Sequence, residues 1–269
     1  MGNLLTAGLR RMVKSRAFLL ALLAELAYTA LVVLVCWDHY AANTGSYTIE
    51  SVLTAGFGLM GSLSVPSLIA APLLCVHLGT EYSENTLRNK LIVGHTRPAV
   101  YLADLLSCAI AALGLDLLYM LLAGALCVYP VLGMTGRLLT ASPGQLLAWI
   151  AAGLLARAAW ASVVTLTATV LGSRTSAAVA GLLLAVGASL VCSFGFHELE
   201  YLSRHLDAAN REIRLALWQL ILDALPTGQY LQVSRLDTPN LWRLPLLSLA
   251  VAAGSTGIGA ALFQRKDLR

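Results

Sequence analysis

The chain alternates between long apolar runs and shorter polar segments, and this alternation predicts its elements. Six runs approach or exceed the length of a bilayer crossing, at about 17–37, 53–78, 99–129, 146–171, 177–196 and 244–263. A transmembrane helix needs about 20 mainly apolar residues. The shortest connection, 172–175, is polar and suits a helical hairpin between the fourth and fifth runs. The pattern therefore predicts six membrane-spanning helices.

Composition supports this prediction and excludes other classes. Of the 269 residues, 58% are apolar and only 12% are charged, and the mean hydropathy is +0.75. Soluble domains carry about 25% charged residues, so disorder, a nucleic-acid-binding surface and an ordinary cytosolic enzyme are excluded. The five cysteines show no metal-ligand spacing and are expected to be small core residues. The predicted fold class is an all-α membrane protein with one transmembrane domain over 1–269.

The positions of Lys and Arg predict the orientation. With a cytoplasmic N-terminus, that side carries eleven of the 18 basic residues. Most of the others lie in one long segment, which has little weight in the positive-inside rule. The first apolar run is longer than the apolar core of a signal peptide, so it is expected to remain as a span. We predict that both termini are cytoplasmic.

Two segments outside the spans are predicted to be helical. Residues 3–16 place Leu5, Leu9 and Met12 on one face and Arg10 and Lys14 on the other. Such a helix can lie in the headgroup layer, with its basic side chains on anionic membrane lipid, or it can extend the first span. Residues 198–243 are too polar to cross and repeat apolar residues at helical spacing. This extracellular segment is expected to pack over the outer leaflet or to dip into it.

The connection between the second and third runs is the most informative segment. A short amphipathic helix is predicted over 81–94, with Leu87, Leu91 and Ile92 on its apolar edge. Gly94 is a natural helix stop, and Pro98 suits the first turn of the next helix. On these grounds alone the connection is either a specific element or a surface loop that satisfies the positive-inside bias.

A family resemblance bears on this choice. The segment Glu81-Tyr82-Ser83-x-x-Thr86-Leu87-Arg88-Asn89-Lys90-Leu91-x-x-Gly94-x-x-Arg97 resembles the motif of type-2 ABC transporter permeases, although Asn85 stands where many members have Gly. In that family a short coupling helix at this position seats in a groove of the cytoplasmic ATPase subunit. The basic N-terminal helix, the six spans and the outer helical segment are also similar. The resemblance implies that the ATPase-coupling residues are Glu81, Tyr82, Thr86, Leu87, Arg88, Lys90, Leu91, Gly94 and Arg97.

The resemblance also implies a function. The chain would be the permease subunit of an exporter in the bacterial cell membrane, coupled to a separate ATPase subunit and to a second permease subunit in a homodimer or heterodimer. The cargo would be hydrophobic or amphiphilic, such as an antimicrobial peptide, a drug or a lipid. No phosphate-binding GxxxxGK[ST] motif occurs, so ATP and Mg are expected on the partner, with no catalytic residue, cofactor or metal in this chain. The alternatives are an ion-gradient-driven secondary transporter and a non-transporting immunity or scaffold protein.

Four ionisable residues fall within the predicted spans: Glu25, Asp104, Asp116 and Arg157. Each costs about 2.5–3.5 kcal/mol at the bilayer centre, so each should face protein or water. Asp104 lies near the cytoplasmic end, where interfacial water is expected to solvate it. Asp116 and Arg157 reach similar depths in antiparallel neighbours, about 27 Å and 18 Å along their spans. We predict that they pair, with Glu25 as the rival partner, either as a structural ion pair or as groups that face the cargo.

Overall fold

The computed structural model describes residues 2–43, 47–58, 65–84, 86–136, 139–205, 210–236 and 241–266. This part of the chain is helical and contains no strand, so the all-α prediction is confirmed. Its helices are α1 (Gly2–Val13), α2 (Arg16–Ala42), α3 (Ile49–Thr54), α4 (Val65–Ser83), α5 (Thr86–Ile92), α6 (Arg97–Thr135), α7 (Pro143–Leu171), α8 (Arg174–Arg204), α9 (Arg211–Ala224), α10 (Pro226–Ser234) and α11 (Arg243–Arg265).

Five helices in the described ranges are long and apolar enough to cross a membrane: α2, α6, α7, α8 and α11. They correspond to five of the six predicted spans, and they make the chain a multi-pass, membrane-embedded protein. Most are longer than predicted. The helix α6 continues through Pro130 to Thr135, because a transmembrane helix tolerates a proline when its surroundings satisfy the freed backbone groups.

The second predicted span, 53–78, is wrong as one continuous helix. The short α3 ends at Thr54, a turn follows, residues 59–64 lie outside the described residues, and α4 begins at Val65. Two tyrosines hold the break: Tyr28 donates a hydrogen bond to the carbonyl of Ala55 at 2.6 Å, and Tyr119 donates to that of Val52 at 2.8 Å. These contacts satisfy backbone oxygens that a continuing helix would use.

The helix α7 is the most buried of the five long helices. It contacts α3, α4, α6, α8, α10 and α11. Small residues line its buried faces, among them Ala152, Gly153, Ala156 and Ala159. The ring of Phe57 lies where a side chain on Gly153 would stand. Small residues let helices approach closely in a membrane, so this sequence gives α7 its central position.

The predicted interfacial helix, 3–16, is α1, which ends at Val13 and packs on α6. Its buried residues are Leu4, Gly8 and Met12, and Gly8 allows the close approach of Ser107. One side of α1 is therefore held by protein, while Val13 remains exposed.

The predicted outer segment, 198–243, divides into parts with different environments. Residues 198–204 belong to α8, α9 is largely exposed, and α10 is almost wholly buried; residues 206–209 and 237–240 lie outside the described residues. Gly228 of α10 packs directly on the backbone of Leu222, where no side chain would fit. Gln229 donates to the carbonyl of Asp223 at 2.6 Å and accepts from Ser248 at 2.5 Å. These contacts seat α10 inside the helix bundle.

The short helix α3 is held by a buried carboxylate. Glu50 Oε1 accepts hydrogen bonds from the backbone N–H groups of Thr140 (2.6 Å) and Ala141 (2.7 Å), just before α7. Burial alone would raise the pKa of Glu50, but these hydrogen bonds prevail and lower it. A carboxylate with a lowered pKa stabilises the fold above its ordinary value and loses that contribution as pH falls through its folded value.

We expect acid to destabilise the wild type through Glu50. As the pH falls below 4.5, the thermal midpoint of the detergent-solubilised protein should fall more steeply in the wild type than in Glu50→Gln, which has no carboxylate to protonate. Glu212→Gln, at an exposed residue of α9, should retain the acid response of the wild type. Equal slopes in the wild type and Glu50→Gln would contradict this assignment.

Candidate functional site

The residues that resemble the coupling motif gather at one end of the bundle. Here α4 stops, α6 begins and α11 ends, with α5 between them; we call this the α5 end. The predicted coupling helix, 81–94, is wrong in its bounds, because Glu81 and Tyr82 belong to the last turn of α4 and α5 covers only Thr86–Ile92. Asn85 lies outside the described residues. Gly94 adopts a φ of +99°, a conformation that suits glycine, and the chain turns there toward α6.

A partly buried lysine joins three helices at the α5 end. Lys90 Nζ of α5 contacts Glu81 Oε2 of α4 at 2.5 Å and Asp104 Oδ1 of α6 at 2.7 Å. Burial alone would lower the pKa of Lys90, but the two carboxylates outweigh it and raise the pKa. Asp104 is therefore paired with protein rather than solvated by interfacial water as expected. Charge-assisted bonds of this kind are strong, so α5 is firmly attached to both neighbours.

Two weaker contacts extend this group toward α1 and along α4. Arg11 Nη1 lies 3.5 Å from Glu81 Oε1, and His77 Nε2 lies 3.9 Å from the same oxygen. We call Arg11, His77, Glu81, Lys90 and Asp104 the charge cluster. Arg11 is 45% exposed, so its contact is screened by solvent and contributes little.

Apolar contacts reinforce the inner side of α5. Leu87 is buried in a cluster with Leu4, Val100, Tyr101, Ala103 and Phe263, and Leu91 packs against this cluster. The hydroxyl of Thr86 donates to the carbonyl of Glu81 at 3.1 Å and closes the turn between α4 and α5. The contacts therefore hold α5 to α4 and α6, and they place Leu87 in one apolar cluster with residues of α1 and α11.

Two basic side chains cap helix ends beside α5. Arg97 donates to the carbonyls of Phe263 (3.3 Å), Gln264 (2.8 Å) and Lys266 (2.7 Å) at the end of α11. Lys266 Nζ donates to the carbonyl of Thr169 near the end of α7 and lies 4.7 Å from the centroid of the Tyr82 ring. Cations at helix C-termini satisfy free carbonyls and oppose the helix dipole. These contacts join α4, α6, α7 and α11 at one end.

The opposite side of this short helix faces outward. Arg88 and Asn89 are exposed, and Ile92 and Val93 are 72% and 77% exposed. We call these four residues the outer face of α5. Ile92 does not lie on the apolar edge predicted for it with Leu87 and Leu91, because the contacts of Lys90 with two carboxylates set the rotation of α5. The outer face is a small mixed surface with one cation and two aliphatic side chains.

A second charged group lies at the middle of the bundle. Arg157 Nε and Nη2 contact Asp116 Oδ2 and Oδ1 at 2.6 and 2.5 Å, and both side chains are 1% exposed. This two-point contact joins the middle residues of α7 and α6. The guanidinium also lies 5.0 Å from the ring centroid of Tyr230 in α10. Glu25 is buried in α2, and its Oε1 has no hydrogen-bond partner in the part of the chain that the structure describes.

Sequence reasoning named Asp104 but missed its contact with Lys90, and it did not name Tyr230. The contact of Asp104 has a signal in the sequence, since Asp104 is the nearest acidic residue after Lys90 on the next helix. Tyr230 has none, because nothing in the sequence places α10 beside the middle of α7. Among the described residues no group of His, Cys, Asp and Glu could hold a metal ion.

Removing the lysine of the charge cluster should destabilise the protein. Lys90→Met leaves the carboxylate of Asp104 without a cation and that of Glu81 with only its weaker contacts to Arg11 and His77, and breaking a buried pair costs about 3–5 kcal/mol. Arg11→Gln should cost at most about 1 kcal/mol because that contact is largely solvated. Thermal unfolding in detergent measures both effects. Asp104→Asn added to Lys90→Met should recover part of the loss; a loss in Lys90→Met no larger than in Arg11→Gln would contradict this description.

Charge reversal tests the pair at the middle of the bundle. Asp116→Arg or Arg157→Asp alone places like charges together in the interior and should abolish a monodisperse peak in size-exclusion chromatography, at a cost of about 3–5 kcal/mol or more. The double swap should restore that peak. Swapping Arg204 and Glu200, an exposed pair on α8, is the control and should change nothing measurable. If the double swap recovers no folded protein, the contact does not support the fold as described.

No protein-family model matches the chain, and no curated protein is significantly similar to it.

Proposed function

We propose that the chain is the membrane-spanning permease subunit of an ATP-binding cassette exporter in the bacterial cell membrane. In this proposal α4 is the second of six spans, both termini are cytoplasmic, and the α5 end faces the cytoplasm. A separate ATPase subunit binds and hydrolyses ATP with its Mg ion, and a second permease subunit, identical or homologous, completes the transporter. The cargo is hydrophobic or amphiphilic, such as an antimicrobial peptide, a drug or a lipid.

One observation carries the proposal: α5 is attached on its inner side and open on its outer side. Lys90 ties α5 to both neighbouring helices through Glu81 and Asp104. Arg88 and Ile92 point outward. A helix that transmits movement from an ATPase subunit needs a firm attachment to the spans and an exposed surface that the ATPase subunit can contact. The helix α5 combines both.

The contacts of α4 and α6 offer a route for such a movement. The helix α4 packs closely on α8 and contains Pro72, which removes one backbone hydrogen bond within it. The helix α6 carries Asp104 at the α5 end and Asp116 at its middle, where Asp116 contacts Arg157 of α7. A shift of α5 would therefore act on α6 at one end and on the buried pair at its middle. Rigid helices with packed interfaces transmit small displacements in this way.

The outer surfaces of the bundle leave room for a second permease subunit. The helices α2, α8 and α11 are the least buried of the five long helices, and leucines such as Leu20, Leu183 and Leu249 are exposed along them. In a membrane protein such faces contact lipid or another subunit. The proposal assigns one of them to the second permease.

Copurification tests the coupling surface. The chain is expressed with the ABC ATPase encoded nearest to its gene, and the ATPase recovered with the permease is quantified. Arg88→Glu and Ile92→Asp should each reduce its recovery at least about fivefold, because changing an energetically important interface residue costs more than about 1 kcal/mol. Both side chains are exposed, so the variants should still fold.

Matched controls lie elsewhere on the surface. Arg204→Glu at the far end of α8 and Ile213→Asp on α9 change comparably exposed residues and should leave ATPase recovery unchanged. Unchanged recovery in the α5 variants would contradict the coupling role. Export that continues without ATP while an ion gradient persists would instead favour a secondary transporter, and protection of cells without any ATPase would favour an immunity or scaffold protein.

A further inference from the structure

A basic cavity opens at the α5 end. It has a volume of about 410 Å³ and lies between the start of α2, the last turns of α4 and the start of α8. Four cations line it: Arg11, Lys14, Arg16 and Arg174. Glu84 is the one carboxylate in the lining, so the cavity has a strong positive excess.

Three of the four cations have no acidic partner in the described ranges. Lys14, Arg16 and Arg174 form no ion pair there, and only Arg11 reaches a carboxylate, that of Glu81. Lys90 already contacts the other oxygen of that carboxylate. Cations that line one cavity repel each other unless an anion lies between them. The charge pattern therefore fits an anionic ligand in the cavity.

An apolar groove continues directly from the cavity. It has a volume of about 360 Å³ and runs between α2 and α4, lined by residues such as Leu20, Ala24, Leu68 and Leu73. Ala17 and Val76 line both spaces, so the cavity and the groove are contiguous. Apolar side chains make up its lining, and it lies against a helix long and apolar enough to cross the membrane.

We propose that this composite site binds one anionic phospholipid of the leaflet at the α5 end. The phosphate lies among Arg11, Lys14, Arg16 and Arg174, and an acyl chain lies in the groove between α2 and α4. The cavity favours an anion and the groove favours a hydrocarbon chain, and an anionic phospholipid carries both on one molecule. Basic pockets between transmembrane helices select acidic headgroups by the same electrostatics.

The site has a consequence for the charge cluster. Arg11 borders the cavity and also contacts Glu81, which is bonded to Lys90. A phosphate in the cavity attracts the Arg11 guanidinium away from Glu81 and ties α1 to the start of α8 through Arg174. Bound lipid thus strengthens the attachment of α1 to α8 and weakens the contact of Arg11 with α4. This inference does not depend on an ATPase partner.

Native mass spectrometry of the full chain tests the proposal, with phosphatidylglycerol and phosphatidylcholine carrying the same dioleoyl chains. The wild type should bind phosphatidylglycerol at least about tenfold more tightly, since each nearby cation contributes about fivefold. Lys14→Gln combined with Arg174→Gln should weaken that binding about 25-fold. Arg10→Gln is the matched control, because Arg10 is exposed on α1 and does not line the cavity; its effect should be less than about twofold.

A second pair of variants tests the groove. Ala24→Trp fills it, whereas Ala27→Trp adds the same side chain at an exposed position of α2 that does not line it. Ala24→Trp should abolish retention of phosphatidylglycerol, and Ala27→Trp should preserve it. Equal affinity for the two lipids, equal loss in the cavity variant and the Arg10 control, or displacement of the lipid by inorganic phosphate at the same concentration would overturn the proposal. The last result would identify a site for soluble anions.

Discussion

The structure depends on one constraint: a charge removed from water needs a partner of opposite charge at contact distance. Two basic side chains satisfy it at two depths. Lys90 joins α4, α5 and α6 at one end of the bundle, and Arg157 joins α6 and α7 at their middle. Both involve α6, which carries Asp104 and Asp116 on buried positions twelve residues apart. The long helix α6 therefore connects the two charged groups mechanically.

Packing around these groups relies on small residues rather than on large hydrophobic ones. In lipid the hydrophobic effect does not by itself bring helices together, so van der Waals packing and interhelical hydrogen bonds have to do so. The alanines and Gly153 of α7 allow six other helices to contact it. Gly228 likewise lets α10 lie against the backbone of α9. This position brings Tyr230 of α10 to the guanidinium of Arg157. The helix α10 therefore packs over the buried pair of Asp116 and Arg157.

The two ends of the charge cluster have different surroundings, and this difference separates the two proposals. The outer face of α5 is a small exposed surface of mixed chemistry, suited to protein. The cavity beside Arg11 is concave, basic and continuous with an apolar groove, and it suits a lipid. Glu81 lies between them, in contact with Lys90 on one side and Arg11 on the other. A change in either contact alters the charge balance of the same carboxylate.

Hydropathy alone determined the membrane class and five of the long helices, because length and apolarity are local properties that any arrangement of the helices must satisfy. Gly94 and the spacing around it likewise indicated a short helix that stops before α6. Sequence could not reveal the break after α3, which Tyr28 and Tyr119 hold from distant helices, or the burial of α10. Nor could it assign Lys90 to the interior, since the side that α5 buries depends on Glu81 and Asp104 approaching from two other helices. Contacts between residues far apart in the chain are decided by three-dimensional packing, and these contacts determine which charges are paired and which face outward.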